Sequence, residues 1–379
     1  VVLVLVLSGC GGKTGPPPSS WDNVTADSEG NVGQFSSIAV DANGRAHIAY
    51  FEWIKDEQIG EETVPYGNLK YAYYVNGSWQ TVTLGTGAGA TPRIFVDGDS
   101  KVHIVHTKLG VSDIPSILDL KYTTNKSGSW ETVSISSGVV KGVDASIVVD
   151  ANGKVHISCR NEEGVGSPEG GQGGLRYITG ASGEWTWYDV DASPTAGNDG
   201  DIAVDREGNV HISYLDKNVG LKYATNSGGS WVVEVLDHTP NVGWNTSIAV
   251  DSNNKVHISY SDPSPILDPP GNGYLKYATN ASGEWITQVI DDKDAGFFTG
   301  IDVDSQDSVH IAYYAWDGSR GRLKYATNAS GSWVIETVDE NGAVGLYCAI
   351  ALDLQDRPHI SYYDYIRRDL KYAMRCDGE

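Results

Sequence analysis

The 379-residue chain carries 49 acidic against 27 basic residues, a net charge of −22. That field repels polyanions, which excludes nucleic acid as a partner. Its 21 Tyr and 11 Trp against 5 Phe and 1 Met suit strands packed face to face with polar tips that need partners.

The chain opens on VVLVLVLSGCGG, an apolar run too short to span a membrane. Its end, Leu7-Ser8-Gly9-Cys10, resembles the lipobox of a bacterial lipoprotein signal peptide. The resemblance implies that residues 1–9 are a signal-peptide remnant, that Cys10 carries the lipid, and that the protein is anchored at the bacterial cell envelope. Gly11 to Ser19 reads as a Gly/Pro-rich tether, which makes 10–19 the lipid-anchored linker.

From residue 20 onward one unit recurs. A histidine marks it at His47, His103, His156, His211, His257, His310 and His359, with spacings of 46 to 56 residues. This is the period of propeller blades. Each unit holds four short segments: SIAVD-like (Ser37 to Asp41), VHISY-like (Val256 to Tyr260), LKYAT-like (Leu275 to Thr279), and one that starts at a Trp and runs to Asp (Trp333 to Asp339). All are rich in Val, Ile, Tyr, Thr and Trp and of strand length. DANG, DREG and TNASG supply tight turns between them. Each unit therefore reads as a four-stranded antiparallel meander, and radial packing covers both of its faces.

The last unit stops at Leu370 to Met374 without a Trp segment, and Ser20 to Asp27 matches the missing piece in length, Trp position and final Asp. Seven Trp segments, at Trp21, Trp79, Trp130, Trp185, Trp231, Trp285 and Trp333, then serve seven units. The expectation is an all-β, seven-bladed β-propeller over residues 20–376, closed by an N-terminal strand that completes the last blade and leaves no open edge. Residues 20–376 resemble bacterial β-propeller repeat proteins of the Asp-box (BNR)-like and NHL-like kind, with VDxxGxxHIxY as the shared pattern. The sialidase Asp-box has one residue between Asp and Gly and Thr-Trp after it; here there are two residues and His-Ile. The resemblance therefore implies the propeller more than glycosidase activity.

What repeats in every blade, the Asp at 41, 97, 150, 205, 251, 304 and 353 and the seven His, is assigned to scaffold. What varies is the connection between strands two and three and from one blade to the next, on one rim. Phe51 to Asn68, Thr107 to Asp119 and Arg160 to Gly174 are the long ones, which predicts a cleft over blades one to three.

Trp53, Trp244 and Trp316 lie in variable connections and offer flat faces to sugar rings or peptides. His106 replaces a recurring Tyr, Arg160 follows Cys159 in the equivalent place, and Arg93 stands where Ser37 or Ser247 does elsewhere. A His with two Arg can bind an acidic group, with His106 as acid or base. Cys348 and Cys376 are expected too far apart to bridge, and Cys159 is expected as a buried thiol.

Two functions follow. The first is a non-enzymatic, lipid-anchored envelope module, monomeric, that grips a polysaccharide or an envelope protein by its variable rim. The second is a polysaccharide lyase or glycoside hydrolase acting on an acidic polysaccharide. Some uronate-polymer lyases are seven-bladed propellers with a His or Tyr base and an Arg on the carboxylate, and the similarity, at the level of architecture, implies His106, Arg93, Arg160 and Tyr66 as the set. No cofactor is expected. The acidic loops with Asp262, Asp268, Asp291, Asp292 and Asp294 lack the regular oxygen spacing of a calcium loop.

Overall fold

The structure, a computed structural model, describes residues 20–59, 62–87, 90–109, 118–135, 142–161, 173–181, 184–263, 273–293 and 295–376. Cys10, the tether and the apolar run before it lie outside these residues. The described residues form seven four-stranded antiparallel sheets and no helix.

β1 (Ser20–Asp27) precedes blade one, which is β2 (Asn31–Val40), β3 (Ala46–Ile59), β4 (Glu62–Val75) and β5 (Ser78–Thr86). Blade two is β6 (Ala90–Val96), β7 (Val102–Leu109), β8 (Leu118–Thr124) and β9 (Glu131–Ser134). Blade three is β10 (Gly142–Val149), β11 (Val155–Asn161), β12 (Gly174–Ala181) and β13 (Glu184–Asp191). Blade four is β14 (Asn198–Val204), β15 (Val210–Asp216), β16 (Gly220–Thr225) and β17 (Val232–Asp237). Blade five is β18 (Trp244–Val250), β19 (Val256–Asp262), β20 (Tyr274–Thr279) and β21 (Ile286–Asp291). Blade six is β22 (Ala295–Val303), β23 (Val309–Trp316), β24 (Gly321–Thr327) and β25 (Val334–Asp339). Blade seven is β26 (Val344–Leu352), β27 (Pro358–Asp364) and β28 (Asp369–Cys376), with β1 paired to β28. The chain is a seven-bladed β-propeller whose first strand closes its last blade, Trp21 standing opposite Arg375.

The repeated residues hold this frame in three ways. First, each SIAVD-type Asp caps the turn after it. The Oδ1 atom of Asp205 accepts the backbone N–H groups of Glu207 and Asn209 at 2.9 and 2.8 Å, and its counterparts do the same.

Second, the other oxygen faces the recurring His, whose Nδ1 meets a Tyr hydroxyl. In blade four His211 stands 3.3 Å from Asp205 and 2.6 Å from Tyr223. A neutral imidazole satisfies both, accepting from the Tyr O–H and donating to the carboxylate.

Third, that Tyr packs against the Trp of the following blade at 5.0–5.6 Å between centroids, all the way round the ring from Tyr71–Trp130 to Tyr372–Trp79. Such edge contacts add about 0.5–1.5 kcal/mol each beyond the area they bury.

This network fixes the acid response. Burial holds His47, His103, His156, His211 and His257 below the ordinary imidazole range. For Asp41, burial works upward, but the Arg45 contacts and two backbone N–H groups bring it down to about 2. Both shifts are depressions, so the stability they contribute is complete above the unfolded values. It is lost first as pH falls through the imidazole range, then as it approaches 2. Thermal melts from pH 7.5 to 2.5 are expected to show Tm falling in both windows, and a flat profile would contradict the network.

A second seam contact joins neighbouring blades near the variable rim. Asp27 accepts from Tyr50 Oη at 2.5 Å and Lys70 Nζ at 2.6 Å. Asp191 with Tyr214 and Lys222, Asp237 with Tyr260 and Lys276, and Asp291 with Tyr313 and Lys324 repeat it. Tyr362 donates to Asp339 in blade seven. The seam into blade two departs: Gly85 stands where the Asp would be, His106 where the Tyr would be, and Lys121 turns to Asp119 at 2.5 Å.

One expectation about the long connections changes. Phe51 to Asn68 is not a loop but a hairpin extension, with β3 and β4 paired out to Ile59 and Glu62. No Gly or Pro interrupts Phe51 to Ile59, and the ladder continues past an irregularity between Trp53 and Lys55, opposite Gly67 and Tyr66. Residues 110–117 and 162–172 of the other two long connections lie outside the described residues. Cys159 and Cys348 are buried free thiols, and Cys376 is disulfide-bonded.

Candidate functional site

The innermost strands of all seven blades, β2, β6, β10, β14, β18, β22 and β26, line an axial channel with a cavity of about 350 Å³. Each carries the same irregularity. Between Asn198↔Leu215 and Asp201↔Ser213, the inner strand advances three residues against two on its partner, and the six other blades match. This is a β-bulge.

At each bulge one residue takes a left-handed conformation: Phe35, Thr91, Asp144, Asp199, Asn245, Phe298 and Tyr347, with φ between +48° and +54°. Glycine, asparagine and aspartate adopt this region at least cost, a class that holds Asn245, Asp144 and Asp199 but not Phe35, Thr91, Phe298 and Tyr347. All seven are half-buried and line the channel.

The bulge is thus architecture, while the side chain on it is free to differ, and it does. Blades six, seven and one present Phe298, Tyr347 and Phe35, in contact at 4.7 and 4.4 Å between centroids. The aromatic wall continues outward through Tyr347 to Tyr363 at 6.1 Å, Tyr363 to Tyr365 at 6.5 Å, and Phe298 to Tyr314 at 6.4 Å. There it meets a rim cleft of about 680 Å³ between blades six and seven, lined by Tyr314, Trp316, Leu346, Tyr365 and Ile366 with Arg320 and Glu340. Tyr365 and Ile366 are 64% and 66% exposed and adjoin the other apolar lining of this cleft as one patch.

Blades two to five present Thr91, Asp144, Asp199 and Asn245 instead. Asp144 Oδ2 lies 3.5 Å from the backbone nitrogen of Asp199. Burial first, and the Asp144 charge second, push the Asp199 carboxyl up to about 7, against the pull of Arg93 and Lys217. One level deeper, Asp201 is consumed by the frame, accepting from Ser146 Oγ, Ser247 Oγ and the Ile248 N–H at 2.6, 2.9 and 3.0 Å.

The residues singled out from sequence are dispersed around this site. Arg93 lines the channel one level below Thr91 and donates to the Pro92 carbonyl at 3.3 Å. His106 is 2% exposed inside blade two, with Nε2 3.0 Å from Thr123 Oγ1. Burial, reinforced by Lys121, lowers its pKa to about 4. Arg160 Nη1 donates to Asn198 Oδ1 at the seam of blades three and four.

Tyr66 sits on the β3–β4 extension with Lys55 over its ring at 5.2 Å. Of this set only Arg93 is among the channel-lining residues.

Trp316 lines the rim cleft. Trp53 donates to Asp56 at 3.0 Å, and Trp244 lies under Lys217 at 5.8 Å. Among the described residues no group of three or more His, Cys, Asp and Glu is placed to hold a metal ion. Asp262 and Asp291 pair with Lys276 and Lys324, and Asp268 and Asp294 lie outside the described residues.

No protein-family model matches the sequence, and no curated protein does. Solved structures match it as a propeller. An ulvan lyase of polysaccharide lyase family PL25, bound to -[GlcA(1-4)Rha3S]-, is 13% identical with a TM-score of 0.59, covering 88% of this chain and 90% of that one. The Hadza microbial sialidase Hz136 is 12% identical with a TM-score of 0.52 over 74% of this chain, which spans 63% of the sialidase. A protein of unknown function from Dyadobacter fermentans is 11% identical with a TM-score of 0.53, covering 94% and 98%. At these identities the likeness is one of fold.

Proposed function

We propose that the protein is a glycan-binding propeller that lays a saccharide chain across the variable rim, from the channel mouth over blades six and seven to the rim cleft. The observation that carries this reading is the run of aromatic contacts from Phe35, Tyr347 and Phe298 to Tyr365 and Tyr314, which line the rim cleft together with Trp316. Flat apolar faces with polar neighbours suit sugar rings, and a channel cavity of about 350 Å³ falls within the size of small-molecule sites. Carbohydrate names among the similar folds agree with this reading.

The enclosure of His106 in its blade, with Nε2 on Thr123, weighs against its use as a base. Binding without catalysis is therefore favoured. The test is direct binding to a panel of neutral, amino and acidic oligosaccharides. Saturable binding of at least one class is expected, and none across the panel would reject the reading.

A further inference from the structure

We propose that the polar half of the channel mouth selects a saccharide with a free amino group, its ammonium held by Asp144 and Asp199 while the sugar's apolar face lies on Phe35, Tyr347 and Phe298. This rests on the glycan-binding reading and adds the chemical class of the ligand. Three observations combine. Aromatic faces and carboxylates share one cavity, the arrangement that suits an organic cation. The lining holds three carboxylates against one guanidinium, Arg93, and the chain as a whole is strongly acidic, so a uronate polymer meets the wrong sign of charge.

Asp201 is also fully occupied by Ser146, Ser247 and Ile248, whereas Asp144 and Asp199 enter no ion pair within 4.0 Å among the described residues. An ammonium between them would supply the missing counter-charge. The charged groups that face Asp199 are Asp144 on β10, Arg93 on β6 and Lys217 beyond β15.

The experiment uses the full chain and three probes of equal length: deacetylated chito-oligosaccharide, its N-acetylated form, and an oligoglucuronate, compared by calorimetry. A fourth probe, trimethylated chito-oligosaccharide, carries a permanent charge and isolates titration of the protein. The amino form is expected to bind about tenfold tighter than the acetylated form, an increment within reach of one cation–π and carboxylate contact. Asp144→Asn and Asp199→Asn are expected to erase that preference, the amino and acetylated forms then binding with equal affinity.

Binding of the permanent cation is expected to strengthen as pH rises from 6 to 8 and Asp199 gives up its proton. Asp199→Asn is expected to lose that pH dependence. Equal affinity for amino and acetylated probes, or tighter binding of the uronate, overturns amine selection and leaves glycan binding standing. No binding of any probe overturns amine selection, and with the panel result it decides the broader reading separately.

Discussion

Asp27→Ala is expected to destabilise the protein by about 3–5 kcal/mol, the cost of removing one member of a buried ion pair. Asp27 lies on the closing strand β1, and its two partners, Tyr50 and Lys70, lie in blade one. Lys70 is only 5% exposed and Tyr50 is fully buried, so neither can turn to water when the carboxylate is gone. The loss falls on the seam between blades seven and one, and denaturant unfolding should show it as a lower midpoint at unchanged slope. Adding Lys70→Met should recover a large part of it, because the stranded ammonium causes most of the cost. A single substitution within about 1 kcal/mol of the parent would show that the seam tolerates an unpaired lysine.

Tyr347→Ala is expected to weaken glycan binding about thirtyfold or more, the scale of a central aromatic anchor, at about 2 kcal/mol. Tyr347 is the middle ring of the wall, touching Phe35, Phe298 and Tyr363. Its removal should affect even short oligosaccharides. Trp316→Ala, out in the rim cleft, should cost a long chain more than a short one. Trp53→Ala, on the far hairpin, should cost little. Titrations of short and long oligomers against the three variants separate these patterns. Equal losses at Tyr347 and Trp53 would place the saccharide elsewhere on the rim.

The frame was legible in the sequence because its residues repeat with their partners. The Asp that caps a turn, the His beside it and the Trp that meets a Tyr each recur seven times, and Trp21 at the wrong end of the chain reveals the closure. The site was less legible. Strict alternation gives no hint that a bulge turns one residue per blade into the channel, and a left-handed position usually announces itself by Gly, Asn or Asp. Here Phe35, Thr91, Phe298 and Tyr347 occupy it as well.

The signal that existed was a single variable column, three residues before each recurring Ile from Ile38 to Ile350, inside an otherwise regular strand. His106 drew attention as an odd residue on the rim. Its position is that of the buried Tyr50 and Tyr214, and its oddity follows from Gly85, which removes the carboxylate that a tyrosine there would bond. The long connections of blades one to three suggested a cleft there. Residues 110–117 and 162–172 of two of those connections lie outside the described residues; among the described residues a cleft lies between blades six and seven, where short connections leave aromatic residues uncovered.

The pairing of β1 with β28 joins Ser20 to Cys376, nearly the two ends of the described chain. A ribosome releases β1 before every other strand of the ring and β28 after them, so the nascent chain holds an unmatched strand until the whole ring has been made. Six blades have all four strands in sequence and can form as they emerge, whereas the seventh depends on a contact of very high sequence separation, the slow kind. Refolding is therefore expected to end on one late event, the zipping of the first strand into the last sheet. Until then the exposed edge of β28 is the place where a second molecule could pair instead.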